Sequence, residues 1–399
     1  MLCYKEFVTH KCLRKRRKTR TLWRFSCETA RDKMPSSDDQ HGSFLRQTLR
    51  GDFTFKSRRK TLHPVRAFLA MHVWLGLFHL NALIVFALLF CLNDRPSIRN
   101  GLIALYAVVC VFPNKKPYPK WGLRVANHIV HAAQQYFPLR NKHIEEEKHL
   151  KLVANGTPVL IGLEPHGVLP LQMAAIADYY LFDGAIRTAR DHACFKNEGE
   201  RQRLRDAFAV SSAFASSSIF YVPLVRHLWP WLGLDPISRY HVKKVLSNGG
   251  VAVIVPGGVS EVLKMEKERE VVYLRKRYGF VKIAIQTGAA LMPAYAFGAT
   301  RTYSWWRLGP PVMTKKLAER ISKILLFAPI VFWGRFFGPC PRKGALVTVY
   351  GPPIEVKQTD EPTQEYVREV LDRFIEGMEK VYYENRDEFG YKDVELVIE

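Results

Sequence analysis

Val159-Leu160-Ile161-Gly162-Leu163-Glu164-Pro165-His166-Gly167 is a short apolar run halted by a proline, with one imidazole presented just before the helical-looking stretch Val168 to Leu181. An unbroken apolar run of this length, closed by Pro and Gly, reads as a strand covered on both faces. Histidine's ordinary pKa of about 6.5 lets it take a proton near neutrality and return it, so His166 at the end of such a strand suits a general base. Taken alone, a lone His after a strand is more often a structural hydrogen-bonding residue.

Working outward, Ile219 to Leu224, Val251 to Val255, Leu291 to Phe297 and Ala345 to Tyr350 read as further strands beside Pro158 to Leu163. Helical patterns separate them: Val168 to Leu181, Pro236 to Ser247, Val272 to Thr287 and Thr363 to Tyr383. The alternation predicts an α/β fold with a largely buried sheet flanked by helices.

Upstream, Ala67 to Leu92 carries no charged residue and is long enough as a helix to span a hydrocarbon layer of about 30 Å. A second apolar run, Leu102 to Phe112, is too short to cross alone and follows the polar break Asn93 to Asn100. The pair reads either as one span plus a partly embedded segment, or as a hairpin dipping into one leaflet. Arg58, Arg59, Lys60 and Arg66 precede it and Lys115, Lys116 and Lys120 follow, which puts both flanks on the cytoplasmic side. His72, His79 and Asn81 keep the alternative of a buried core helix open. Lys315 to Phe337 mixes cations with apolar clusters, and reads equally as a membrane-interface segment or as core.

The expected organisation is a disordered basic tail over 1–66, a membrane-embedded hairpin over 67–114 and a catalytic domain over 115–399. The tail carries 18 Lys or Arg against 6 Asp or Glu, and no secretory apolar region is expected at its start. With 48% hydrophobic residues, the 399-residue chain is able to bury a substantial core. Its net charge of +23 points to a polyanionic partner: nucleic acid, an anionic membrane surface or a phosphate-rich substrate. The run Arg14-Lys15-Arg16-Arg17-Lys18 sits in the tail, where such runs are usually solvated, so no nucleic-acid partner is expected. Seven scattered cysteines without a Cys-x-x-Cys pair predict neither a disulfide framework nor a metal site. Nothing around Cys194 suggests an activated thiolate.

Val255-Pro256-Gly257-Gly258-Val259-Ser260-Glu261 supplies the second half of a candidate site. Two glycines after a strand make a tight turn whose N–H groups suit an oxyanion or phosphate, and Glu261 is placed to hold the far nitrogen of His166. The bland alternative is a loop Glu capping the next helix. Arg277-Tyr278-Gly279-Phe280-Val281-Lys282 offers two cations for anionic phosphates, against the alternative of a solvated helix face. A Gly-x-Ser-x-Gly elbow, Gly-x-Gly-x-x-Gly and a Walker lysine loop are all missing, which removes most of the case for a serine hydrolase, a dinucleotide oxidoreductase or a P-loop ATPase.

Taken in order, Tyr136-Phe137-Pro138, Glu164-Pro165-His166-Gly167, Pro256-Gly257-Gly258 with Glu261, the run from Arg277 through Gly298, and Gly351-Pro352-Pro353-Ile354 resemble the motif set of the type-2 diacylglycerol acyltransferase family. The likeness runs from about Pro64 to the C-terminus, and Glu164 in place of His matches the plant and algal form. The resemblance implies a glycerolipid-acyltransferase-like mixed sheet with an N-terminal membrane hairpin. It also implies transfer from acyl-CoA to diacylglycerol, at the cytoplasmic face of the endoplasmic reticulum or on lipid droplets. His166 would be the base and Glu261 its partner. Gly167, Gly257 and Gly258 would bind the oxyanion, and Arg277 and Lys282 the coenzyme A phosphates. Glu164, Pro165, Gly279, Phe280, Tyr136, Phe137 and Pro138 support the motifs. The broader glycerolipid acyltransferases pair His with an Asp five residues on, where this chain has Leu171, so Glu261 is the replacement partner. No cofactor or metal is implied, acyl-CoA being a substrate, and membrane lipid is the expected partner. A homo-oligomer is compatible with the sequence. Another acceptor, monoacylglycerol or a long-chain alcohol, stays open, as does a non-catalytic lipid-droplet protein.

Overall fold

The computed structural model describes residues 62–112, 119–137, 139–176, 179, 197–307 and 313–399. Most of the expected tail, together with Pro138 and Cys194, lies outside the described residues. In chain order the helices are α1 Pro64–Phe86, α2 Pro96–Val111, α3 Lys120–Tyr136, α4 Glu146–Ala154, α5 Met173–Ile176, α6 Glu198–Ala209, α7 Val225–Trp231, α8 Arg239–Ser247, α9 Gly258–Val262, α10 Tyr278–Thr287, α11 Lys315–Leu325 and α12 Gln364–Asn385. The strands are β1 Leu139–His143, β2 Val159–Glu164, β3 Ser212–Ala215, β4 Leu234–Pro236, β5 Val251–Ile254, β6 Glu270–Val272, β7 Ala290–Phe297, β8 Ser304–Arg307, β9 Ile330–Trp333, β10 Leu346–Tyr350 and β11 Leu396–Ile398.

Seven strands form one sheet in the order β1-β10-β7-β2-β5-β3-β4. From β7 to β4 each neighbouring pair is parallel, while β10 meets β7 antiparallel and β1 runs parallel to β10. The sheet is therefore mixed, with β2 in its middle. Parallel strands need helical crossovers, which cover both faces and explain the unbroken apolar runs. Successive β2 side chains alternate accordingly. Val159, Ile161 and Leu163 join the core shared with α1 and α3, and Leu160 joins the core shared with α10 and α12.

On that second face α12 buries Val367, Val370, Leu371, Phe374, Met378 and Val381, the i, i+3, i+4, i+7 stripe of an amphipathic helix. Thr363 starts it by accepting the N–H of Tyr366. Fully burying one such side chain contributes about 1.5–3 kcal/mol, so Phe374→Ala alone would cost about 3–5 kcal/mol.

Several expectations are corrected. The segment Ile219 to Leu224 is not a strand: Ser217–Tyr221 forms a 3-10 turn, and the Ser216 and Ser218 hydroxyls donate to the Leu326 carbonyl rather than leaving the backbone to a ladder. The helix expected from Val168 begins at Met173, because Pro170 disfavours helix at the residue before it. The stretch expected as one helix from Val272 instead ends a strand, β6, that pairs with β11, and α10 starts only at Tyr278.

The apolar helix continues from α1 through Ala87–Cys91. It is 28 residues long with an 18-residue stretch of mean hydropathy 2.2, long and apolar enough to cross a membrane by length and composition. A stripe of Ala67, Ala70, Met71, Trp74 and Leu75 packs into the core with α3, while Leu69, Val73, Leu83 and Phe86 stay exposed. The second apolar element is longer than the 11-residue run. Pro96 supplies the first helical position, and the second part of the polar break, from Pro96 to Asn100, joins α2. Asn81 ties the two helices to the domain: its amide donates to the carbonyls of Leu77 (2.7 Å) and Pro223 (3.0 Å), and its Oδ1 accepts from Tyr106 (2.9 Å). The Arg226 guanidinium of α7 bonds the Val109 and Phe112 carbonyls at the end of α2. Of the segment Lys315 to Phe337, Ile324, Leu326, Phe327, Val331, Phe336 and Phe337 are exposed, while Ala328 joins the core and Ile330 and Phe332 pack against it, so the segment is both surface and core.

Candidate active site

Two parallel neighbours, β2 and β5, end side by side and deliver the two halves of the site. Past β2 the chain runs through Pro165 to His166, and past β5 through Pro256 to the glycine pair and α9. The imidazole Nδ1 lies 2.9 Å from the carbonyl oxygen of Gly167. A carbonyl only accepts, so Nδ1 carries the proton and Nε2 keeps a free lone pair. Burial pushes the imidazole below its usual value, partly offset by the Gly167 carbonyl, so the ring is neutral at pH 7.

Glu261 is fully buried, but it does not meet the ring as expected. Its Oε1 accepts the backbone N–H of His166 at 2.5 Å and its Oε2 accepts the N–H of Tyr273 at 3.2 Å. The carboxylate fixes the peptide that carries the imidazole, and the Gly167 carbonyl takes the place expected for an acidic partner. Leu171, where an Asp partner would stand, is buried in the apolar core. Glu164, also fully buried, accepts the N–H of Gly257 at 2.6 Å. Burial, and next the charge and hydrogen bonding of Glu261, raise Glu164 well above the usual carboxylate range. Burial also raises Glu261, to about 7, against the lowering effect of hydrogen bonds from Glu164 and the two backbone donors. The pair therefore holds a proton at neutral pH.

The turn leaves no room for a side chain at Gly257, where a Cβ would lie 2.2 Å from Glu261 Oε2. At Gly167 a Cβ would come within 2.9 Å of the Ala299 carbonyl oxygen, and φ is +63°. With its N–H engaged by Glu164, Gly257 does not serve as the expected oxyanion donor, which is a second correction. Gly258 lines the cavity and Gly257 does not.

His166 opens into a cavity of about 620 Å³, walled mainly by apolar residues that include Phe78 of α1, Val168, Met173 and Trp229. Arg277 lines it, stacks on the Tyr273 ring at 4.8 Å and donates to the Gly257 carbonyl at 2.7 Å. Lys282 is exposed on α10 and is not part of that lining, so the structure does not bring the two expected cations together at the cavity. Gly279 is exposed, whereas Phe280 packs edge-on against Phe374 at 5.1 Å. Tyr136 donates to the Pro341 carbonyl at 2.8 Å and Phe137 is buried beside it, both outside the cavity lining. Two contributors were missed. Gln172 is fully buried and donates to the Pro165 carbonyl at 3.1 Å, and Tyr273 offers Glu261 a backbone N–H. Neither has a sequence signal, because the first acts on a backbone atom and the second through one. Among the described residues no group of three His, Cys, Asp or Glu is placed to hold a metal.

A family model described as diacylglycerol acyltransferase matches residues 97–399. The chain is 33% identical over 188 residues to mouse diacylglycerol O-acyltransferase 2-like protein 6, covering 43% of this chain and 55% of that protein. It is 32% identical over 196 residues to zebrafish diacylglycerol O-acyltransferase 2, covering 45% and 52%. Bovine 2-acylglycerol O-acyltransferase 1 is 32% identical over 187 residues, covering 45% and 56%. The chain thus spans about half the length of these relatives.

Proposed function

Because the chain belongs to the diacylglycerol acyltransferase family, we propose that it moves an acyl group from acyl-CoA to the free hydroxyl of diacylglycerol, forming triacylglycerol. The observation that carries this reading is the imidazole of His166, proton on Nδ1 and lone pair on Nε2, opening into an apolar cavity. Nε2 takes the hydroxyl proton as the oxygen attacks the thioester carbonyl. The tetrahedral intermediate then collapses, the C–S bond breaks, and the imidazolium returns its proton to the departing coenzyme A sulfur. Ester and free thiol are the products. Gly258 faces the cavity and is a candidate for the oxyanion beside the N–H of Gly167, and the Glu164–Glu261 pair holds the backbone around the base.

Arg277 is a cation at the cavity wall, beside the turn at Gly257, that suits a coenzyme A phosphate. The apolar α1 and α2 suit attachment to the endoplasmic reticulum, with the catalytic domain on the cytoplasmic side and the lipid-droplet surface as a second location. Monoacylglycerol is a second acceptor, favoured by the likeness to a 2-acylglycerol acyltransferase. Membranes bearing the protein, given labelled acyl-CoA and a panel of diacylglycerol, monoacylglycerol and a long-chain alcohol, test the reading. Label is expected in triacylglycerol. Label confined to another ester would reassign the acceptor, and no labelled ester at all would remove the activity.

A further inference from the structure

Among the described residues, four other than glycine adopt a left-handed backbone: Leu224, Leu326, Phe336 and Phe337, with φ of 65°, 52°, 53° and 56°. Side-chain atoms crowd the backbone there, so large apolar residues rarely take it. All four are exposed, Phe336 by 81% and Phe337 by 84%. In water this arrangement is unfavourable twice, once for the backbone and once for the apolar surface.

Three of the four follow α11 closely, and that helix carries the same character. Lys316, Arg320 and Lys323, spaced i, i+4, i+7, form an exposed cationic stripe. Leu317 and Ile324, spaced seven apart, form an apolar stripe beside it, with Ile324 78% exposed. Adjoining cationic and apolar stripes are the pattern of a helix lying in a membrane interface.

This surface is tied to two other parts of the molecule. The ring of His79 on α1 meets the Phe332 carbonyl at 3.2 Å and packs edge-on against the Phe332 ring at 4.9 Å, joining the patch to the long apolar helix. Lys323, Leu326 and Phe327 also line the cavity that holds His166. We infer that α11 and the Phe336-Phe337 turn dock on an anionic lipid bilayer, and that the cavity opens at this docked surface, so that a lipid acceptor enters from the membrane without crossing water. A bilayer fits better than a protein because the exposed aromatic turn lies beside a row of cations and adjoins a helix able to cross a membrane. The acceptor's route rests on the acyl-transfer reading of the cavity, whereas the docking does not.

Full-length Phe337→Cys in membranes, treated with a membrane-impermeant maleimide polymer, tests the docking against the wild-type background of native cysteines. The variant is expected to gain no extra label in membranes and one extra label after detergent solubilisation. Labelling in both conditions, or protection in both because protein covers the site, would overturn the docking. Activity then tests the route. F336S/F337S is expected to raise the apparent KM for dioleoylglycerol presented in phosphatidylserine-containing vesicles about tenfold. Its turnover of dioctanoylglycerol dispersed in detergent should match wild type. Equal losses on both acceptors, or none on either, would overturn the route. A wild-type protein that acylates neither acceptor would instead defeat the acyl-transfer reading, with the labelling result still deciding the docking.

Discussion

Glu261 reaches across 95 residues of sequence to accept the backbone N–H of His166 at 2.5 Å, and so controls the peptide behind the imidazole rather than the imidazole itself. The same carboxylate accepts the N–H of Tyr273, and its neighbour Glu164 accepts that of Gly257. Two buried acids thus fix three backbone donors around one base.

That arrangement predicts a pH signature in stability. Glu164 is raised well above its ordinary value and Glu261 is raised to about 7. A carboxyl whose folded pKa exceeds its unfolded one stabilises the fold fully below the unfolded value, about 4.5, and loses that contribution as pH rises through the folded value. Thermal stability in detergent should therefore decline as pH rises from 5 through 8. Glu164→Gln keeps an acceptor for Gly257 and a donor toward Glu261 without the second charge, and should flatten the decline. Parallel curves for wild type and variant would show that the two acids do not share a proton.

The pH–rate profile reports the base itself. Burial lowers the His166 pKa, so the acid limb of kcat/KM should have its midpoint below about 6.5. A midpoint above that value would mean that a carboxylate contacts the ring during turnover.

Two glycine substitutions should behave oppositely. Gly257→Ala drives a Cβ into the Glu261 carboxylate and should lower kcat by about a hundredfold, the effect of misplacing a catalytic group by roughly 1 Å. Gly279→Ala lies exposed within α10 with nothing within 4 Å of the new Cβ. It should keep full activity and gain up to about 1 kcal/mol in stability from helix propensity. Side-by-side assays and melting curves settle both.

The two cations separate in the same way. Arg277→Ala should raise the apparent KM for acyl-CoA by about tenfold, more than that for the neutral acceptor, because a charge-assisted hydrogen bond contributes roughly 1.5–3 kcal/mol. Lys282→Ala, exposed and outside the cavity lining, should change neither constant by more than about twofold. Equal changes in both constants for Arg277→Ala would point to a loosened Gly257 turn instead.

Much of the sheet was legible because its central strands are apolar on both faces: Val159–Glu164, Val251–Ile254, Ala290–Phe297 and Leu346–Tyr350 all lie on expected runs. β3, β4 and β6 are too short to carry a period, and Arg140, Asn141 and Lys142 disguise β1, which sits at the sheet edge. The meeting of His166 with Glu261 was legible as a pairing of base and acid but not in its atoms, since the backbone direction beyond Pro165 decides whether the acid sees a ring or a peptide. Arg277 and Lys282 illustrate the reverse: α10 starts at Tyr278, so Arg277 sits in the turn before the helix and Lys282 on an exposed part of the helix itself, and closeness in sequence does not bring both to the cavity. Gly167 stood out as a motif residue, yet its carbonyl, which orients the ring, carries no signature in a side chain.

The central claim is that His166 is the base for acyl transfer, and the most direct measurement is the rate at which membranes bearing His166→Ala transfer labelled acyl groups from acyl-CoA to diacylglycerol, against wild type at matched protein level. Removing a general base should lower that rate by about 10² to 10⁴, with the protein still membrane-bound. A well-expressed variant that keeps more than about a tenth of wild-type activity would contradict the account.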